Sequence, residues 1–168
     1  DPSNFEVQSY LLKVFDDLLS NYHVSGLHLD FIRYPFSKAG EIHDFGVHQE
    51  FEESGTIDVK HQNTLRTQYV TSFVEKVRFL QKQKYPDLEL SAAVWANKEK
   101  AEDNVFQDWP RWLRDGLLDK AYMMIYVTSK KYHRKRILEF YDQKIKSKLV
   151  FGLGLYRNPP MEVVQEQI

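Results

Sequence analysis

The stretch that decides the fold reads Ser25-Gly26-Leu27-His28-Leu29-Asp30-Phe31-Ile32-Arg33-Tyr34-Pro35. The odd positions from Leu27 to Phe31 are apolar, whereas the even positions carry His28 and Asp30. Because side chains alternate across a β-strand, the pattern predicts a strand over residues 26–30 with one face packed on helices and an imidazole and a carboxylate on the other. Such a polar face is typical of the mouth of a catalytic barrel. A solvated strand face with an incidental acid is the alternative interpretation.

The same two-faced pattern returns three times along the chain, and helical stretches separate the repeats. The further predicted strands cover residues 88–96, 121–127 and 149–156. Apolar residues at helical spacing predict helices over 4–21, 59–84, 107–114 and 131–146, and a last helix that begins near Pro160. Strands that alternate with helices indicate βαβ units, so the sequence predicts an α/β fold with a parallel sheet.

The polar strand faces favour a barrel over an open sheet. A doubly wound sheet buries both faces of its central strands, and no Gly-rich phosphate turn follows any strand here. A complete (β/α)8 barrel has eight strands and at least about 200 residues. This chain has 168 residues and four predicted strands. We therefore expect residues 1–168 to form a single partial barrel domain, with the rest of the barrel outside this chain.

Composition removes several classes of function. The net charge is −1 and no long basic run occurs, which argues against a nucleic-acid partner. No apolar run is long enough to span a bilayer. The absence of Cys excludes disulfides, thiolate metal sites and a Cys nucleophile. The aromatic fraction of 14% suits a carbohydrate-facing cleft, and it also suits an ordinary core.

Five ordered motifs resemble the glycosyl-hydrolase-like family 10 proteins, and the resemblance covers nearly the whole chain. They are Asp1-Pro2-Ser3-Asn4 opening a helix; residues 22–30 followed by Arg33-Tyr34-Pro35; Asp44-Phe45-Gly46; Arg66-Thr67-Gln68; and Gln107-Asp108-Trp109 with Trp112, Gly116, Asp119 and Met124-x-Tyr126.

The resemblance implies a fold similar to that of TIM-barrel glycoside hydrolases. It also implies an extracytoplasmic protein, mostly bacterial in the family, with glycan substrates that include peptidoglycan strands. By the same resemblance the chain spans the helix after strand three through the helix after strand seven. Many members carry two adjacent acids at the end of the strand that holds Asp30. Phe31 occupies the second position here, which leaves Asp30 alone.

Glycoside hydrolysis usually needs two carboxyl groups. Asp30 is the candidate at a strand's carboxyl end. Glu99, just beyond Asn97, is the nearest second candidate by position, and Glu41 and Asp44 in the long loop are others. The alternative for each of the loop acids is a solvated side chain with no catalytic role.

Residues near the strand ends are the candidate substrate-binding groups: His28, Arg33, Tyr34, Trp95, Asn97, Tyr126 and Tyr156. Arg33 suits either Asp30 or a substrate carboxylate. Trp95, Tyr126 and Tyr156 suit stacking on sugar rings or packing in the upper barrel. Asn97 suits a sugar hydroxyl or the cap of the loop that follows.

The sequence thus predicts a glycoside hydrolase acting on a polysaccharide, with a bacterial cell-wall glycan as one candidate and no cofactor or metal. A non-catalytic glycan-binding domain on the same fold is the first alternative. A metal-dependent hydrolase is the second, because His28 and Asp30 share a strand face and His43 and His48 follow in the loop. In the structural interpretation, without a metal, His28 is an interior histidine that orients Asp30.

Overall fold

The computed structural model describes residues 1–35, 59–126, 129, 131, 144–157 and 160–167. The helices are α1 (Phe5–Asn21), α2 (Val59–Lys84), α3 (Lys98–Val105), α4 (Trp109–Arg114) and α5 (Met161–Gln167). The strands are β1 (Gly26–Leu29), β2 (Glu89–Trp95), β3 (Lys120–Ile125) and β4 (Leu149–Leu153), and short 3₁₀ turns cover Lys146–Lys148 and Leu155–Arg157. The helix predicted over 131–146 lies almost wholly outside the described residues. None of the helices described has both the length and the apolar character to cross a bilayer.

The strands form one parallel sheet in the order β1-β2-β3-β4. Leu29 is level with Ala92, Trp95 with Met124, and Tyr122 with Val150. The predicted α/β fold with parallel βα units is confirmed, and the arrangement is consistent with part of a TIM-barrel-like glycosidase fold.

One face of the sheet is buried beneath α2, α3 and α4. The strand residues on that face are fully or almost fully buried: Leu27, Leu29, Leu90, Ala92, Val94, Ala121, Met123 and Ile125. Val74 of α2 and Trp112 of α4 are completely buried against them, and the Trp112 indole donates to Thr71 Oγ1 at 3.0 Å. Each large apolar side chain buried in this way stabilises the fold by about 1.5–3 kcal/mol. The opposite face, which we call the polar face, carries His28, Asp30 and the aromatic side chains discussed below.

A charged clamp joins α2 to the amino end of the sheet. The two terminal guanidinium nitrogens of Arg78 donate to the Asp119 carboxylate, at 2.8 and 2.7 Å, and the Leu90 amide donates to the same carboxylate at 2.8 Å. Burial by itself raises the pKa of Asp119. The hydrogen bonds from Arg78 and the Leu90 amide outweigh it, and they hold the pKa below its usual range.

Two features differ most from the sequence-based prediction, an additional helix and the end of the fourth strand. Helix α3 was not predicted, because it is short and mostly charged, with only Ala101 and Val105 buried. The fourth strand was expected to reach residue 156 but ends at Leu153, and the chain then turns through Leu155–Arg157.

Candidate functional site

Asp30 follows directly on β1 and begins a strained turn. Its carboxylate Oδ1 accepts the backbone N–H of Phe31 at 2.8 Å. Phe31 has a φ of 54°, in the left-handed region, and the Arg33 amide donates to the Phe31 carbonyl at 2.7 Å. A bulky residue in this conformation costs roughly 1–3 kcal/mol, and such strain collects at functional sites. The turn leaves the Asp30 carboxylate exposed at the carboxyl end of the sheet.

The left-handed turn overturns one prediction, namely that Phe31 continues the apolar packing face of the strand. Strand alternation stops at Asp30, and the Phe31 side chain is 70% exposed. It lies beside Arg33, whose guanidinium carbon is 4.4 Å from the centroid of the Phe31 ring.

Arg33 lies between two aromatic rings. Besides Phe31, its guanidinium carbon approaches the Trp95 ring, with 5.9 Å to the centroid. Among the described residues Arg33 forms no ion pair, so the predicted alternative of an Arg33–Asp30 pair is not what the structure contains. The predicted residues Arg33 and Trp95 are brought together.

His28 pairs with a neighbouring strand rather than with Asp30. Its Nδ1 lies 2.9 Å from Ser91 Oγ on β2, and its ring meets the Tyr122 ring edge-on at 4.9 Å. The interpretation that His28 orients Asp30 is therefore wrong. Sequence reasoning missed Ser91 and Tyr122 as its partners, although strand parity places both on the same face as Trp95 and Tyr126.

Gln107 ties the turn after β1 to the end of β2. It is completely buried. Its side-chain amide donates to the carbonyls of Ile32 and Ala93, both at 3.2 Å, and its Oε1 accepts the Trp95 amide at 3.0 Å. One side chain thus fixes the backbone on which Arg33 and Trp95 sit.

Asn97 and Glu99 lie at the start of α3. Asn97 is the N-cap, and its Oδ1 accepts the Lys100 amide at 2.7 Å. Asn97 therefore acts as a cap, as one of its two interpretations predicted. This role uses the side-chain oxygen that would otherwise accept a hydrogen bond from a sugar hydroxyl. Glu99 is exposed in the first turn of α3, the helix that follows the strand ending at Trp95.

The prediction that Tyr34 binds substrate is corrected by its position. The side chain is only 2% exposed, and its ring meets Phe106 edge-on at 5.4 Å. The Tyr34 amide donates to the Val105 carbonyl at 3.3 Å. Tyr34 therefore anchors the loop against α3 and presents no surface to a ligand.

Tyr126 and Tyr156 form an aromatic pair near the carboxyl ends of β3 and β4, toward the sheet edge opposite β1. Their ring centroids are 5.7 Å apart at 79°, and Arg157 donates through Nε to the Tyr156 hydroxyl at 3.2 Å. A side chain at Gly154 would place its Cβ 2.9 Å from the Cα of Tyr126, so only glycine allows this approach. The Tyr156 ring remains mostly exposed.

Glu41, His43, Asp44 and His48 lie outside the described residues. Within the ranges that the structure describes, no group of three or more His, Asp and Glu side chains could hold a metal ion.

The polar face and its edge thus hold the exposed Asp30 carboxylate, a guanidinium between two rings and a pair of tyrosines. Comparison with curated proteins gives no match. The model of the family described as Glycosyl hydrolase-like 10 matches residues 1–166. The chain therefore belongs to the glycosyl hydrolase-like 10 family.

Proposed function

We propose that the protein is a glycoside hydrolase acting on a polysaccharide and that Asp30 is one of its catalytic carboxylates. The observation that carries this proposal is the exposed Asp30 carboxylate at the carboxyl end of a parallel strand, with Trp95 on the neighbouring strand. Active sites of parallel (β/α) barrels lie at that end. Membership of the family independently favours glycoside chemistry.

The turn at Asp30 suits a carboxylate that must be held in one orientation. The Phe31 amide donates a hydrogen bond to Oδ1 of Asp30. No described residue donates to the second carboxylate oxygen, so that oxygen is available to a substrate. In a retaining enzyme that oxygen would attack the anomeric carbon, and in an inverting enzyme it would activate water. Glu99 is our candidate for the second carboxyl group, with Glu41 and Asp44 as alternatives. A separation near 5 Å would give retention, and about 6.5–9.5 Å inversion.

Aromatic side chains supply the proposed binding surface. Trp95, Tyr126 and Tyr156 lie at or just beyond the carboxyl ends of β2, β3 and β4. Sugar rings carry apolar C–H faces that pack on such rings. A cell-wall glycan as substrate and an extracytoplasmic location are finer proposals, and they rest on the family alone.

A non-catalytic glycan-binding domain is the second candidate. It is favoured by Phe31, which stands where the family often has a second acid and holds an exposed ring beside Arg33. Such a domain would bind glycans through the aromatic side chains and release no reducing ends.

Asp30→Asn separates the two candidates. The wild-type protein is assayed on a panel of polysaccharides for new reducing ends, with the product anomers read by NMR. If Asp30 is the nucleophile or base, the variant should lose several orders of magnitude in kcat while glycan binding largely survives. Asp87→Asn is the matched control, since Asp87 is an exposed acid before β2, at the opposite end of the sheet.

Near-wild-type turnover of Asp30→Asn would remove Asp30 from the catalytic list. Binding of glycans by the wild-type protein without any release of reducing ends would favour the binding domain instead.

A further inference from the structure

The guanidinium of Arg33 contacts two aromatic rings. It is half-buried between the rings of Phe31 and Trp95, with centroid distances of 4.4 and 5.9 Å. Cation–π contacts of this kind are worth about 0.5–1 kcal/mol each at exposed sites. The two rings restrict the positions that the guanidinium can take. Its N–H groups are the hydrogen-bond donors of this side chain.

Two other arginines of the described chain have carboxylate partners. Arg78 pairs with Asp119 at 2.7 Å, and Arg111 with Asp115 at 3.1 Å. Arg33 has none among the described residues, although the Asp30 carboxylate lies only three residues away. The fork of donors that matches a carboxylate is therefore positioned at the site edge without a described acid to occupy it.

The backbone beneath Arg33 is built to keep it there. The left-handed Phe31 turns the chain, and the buried Gln107 holds the Ile32 carbonyl and the Trp95 amide. A strained residue with a largely exposed aromatic ring is unfavourable for folding alone. Ligand binding by this edge of the site accounts for both features.

We propose that Arg33 binds a carboxylate on the substrate, so that the protein prefers an acidic glycan to a neutral one. This inference rests on the proposed carbohydrate function and names the chemical class within it. Trp95 would pack on a sugar ring while the guanidinium takes the carboxylate of the same or the adjacent unit. The carboxylate has two chemical sources, the C6 position of a uronic acid or the lactyl ether of a muramic acid.

The test is an NMR titration that follows the Arg33 Nε–Hε signal and the Trp95 indole signal. Four probes are used: D-glucuronate and its uncharged amide, and N-acetylmuramate and the uncharged N-acetylglucosamine. We expect at least one acid to shift the Arg33 signal and to bind about tenfold or more tightly than its uncharged partner, as a charge-assisted hydrogen-bond pair predicts. The acid that responds identifies the source of the carboxylate.

Variants assign the preference to the side chain. Arg33→Gln should abolish the preference for the acid, and Arg33→Lys should keep only part of it, because an ammonium lacks the planar fork. Arg111→Gln is the matched control; it removes the same charge from a residue of α4 outside the proposed site and should leave the preference unchanged. The wild-type titration and Arg33→Lys carry the test if Arg33→Gln fails to fold.

Two results would overturn the inference, and they differ in what else they remove. If both acids bind no better than their uncharged partners while the Trp95 signal still shifts, Arg33 is not a carboxylate site and the carbohydrate function stands. If no probe shifts either signal, the proposed carbohydrate site itself is wrong.

Discussion

Phe31 combines a left-handed backbone conformation with an exposed aromatic ring. It shares a rare feature with Phe106, since both have positive φ, at 54° and 61°. Phe106 is 3% exposed and closes α3 within the core, so burial offsets its strain. Phe31 has no such compensation, because most of its ring is in solvent.

These two residues give a matched prediction. Asn tolerates the left-handed region better than Phe does. Phe31→Asn should leave the free energy of unfolding unchanged or raise it by up to about 1 kcal/mol, whereas Phe106→Asn should lower it by at least about 3 kcal/mol because a buried ring is lost. Urea unfolding measures both. A large loss of stability in Phe31→Asn would mean that the ring has a structural role.

At the scale of the elements, two buried glutamines perform the same task at opposite ends of the sheet. Gln107 joins the turn after β1 to the end of β2. The Gln81 side-chain amide donates to the carbonyls of Tyr85 and Leu88, both at 2.8 Å, where α2 leads into β2. Each holds backbone groups that would otherwise be buried without partners.

Replacing each glutamine by methionine separates site geometry from stability. Either Gln107→Met or Gln81→Met should cost about 2–3 kcal/mol, since backbone groups lose their partners. Under the proposed hydrolase function, only Gln107→Met should also lower glycan turnover, by about tenfold or more, because a small displacement of Trp95 and Arg33 suffices for such a loss. Stability is measured by urea unfolding, and kcat is measured well below the melting temperature. Equal activity in the two variants would show that Gln107 does not position the site.

At the scale of the whole molecule, the clamp between Arg78 and Asp119 links α2 to the sheet and makes stability depend on pH. The folded-state pKa of Asp119 is depressed, so its contribution is present above the ordinary carboxyl pKa, near 4, and is lost as pH falls through the folded-state pKa. Asp119→Asn should cost about 1–2 kcal/mol at pH 7. This figure lies toward the lower end for charged hydrogen bonds, because the Asp119 side chain is 36% exposed.

The difference in unfolding free energy between wild type and Asp119→Asn should narrow below about pH 4. Asp115→Asn makes the same change in net charge at an exposed pair, and it should cost less than about 1 kcal/mol across the range. A gap between wild type and Asp119→Asn that stays constant into the acid range would contradict the assigned role.

The fold was largely predictable because burial leaves a periodic record in the sequence. The alternation that carries Leu90, Ala92 and Val94 is visible without coordinates, and it gave all four strands. The site was less predictable, since its contacts join distant segments: His28 and Ser91 are 63 positions apart and Gln107 and Ile32 are 75 apart. Phe31 was expected on the buried face but is exposed, whereas Tyr34 was expected to bind substrate but is buried. The left-handed turn at Phe31, which strand parity does not anticipate, accounts for both differences.

The sheet register has a consequence for the size of the ligand. Since Leu29 is level with Ala92, Asp30 lies in the row of Ala93 and Tyr122. Trp95 is two residues beyond that row along the strand direction, and Tyr126 is four residues beyond it. At about 3.3 Å per residue, Trp95 is roughly 7 Å and Tyr126 roughly 13 Å further along.

The site residues are therefore staggered along the strand direction, with the Asp30 carboxylate at one end and the tyrosine pair at the other. A ligand that contacts Asp30 must extend along the strand direction before it reaches Tyr126. We therefore expect the proposed glycan to reach Tyr126 only as a chain of several sugars, whereas a monosaccharide contacts the end of the site that holds Asp30, Arg33 and Trp95.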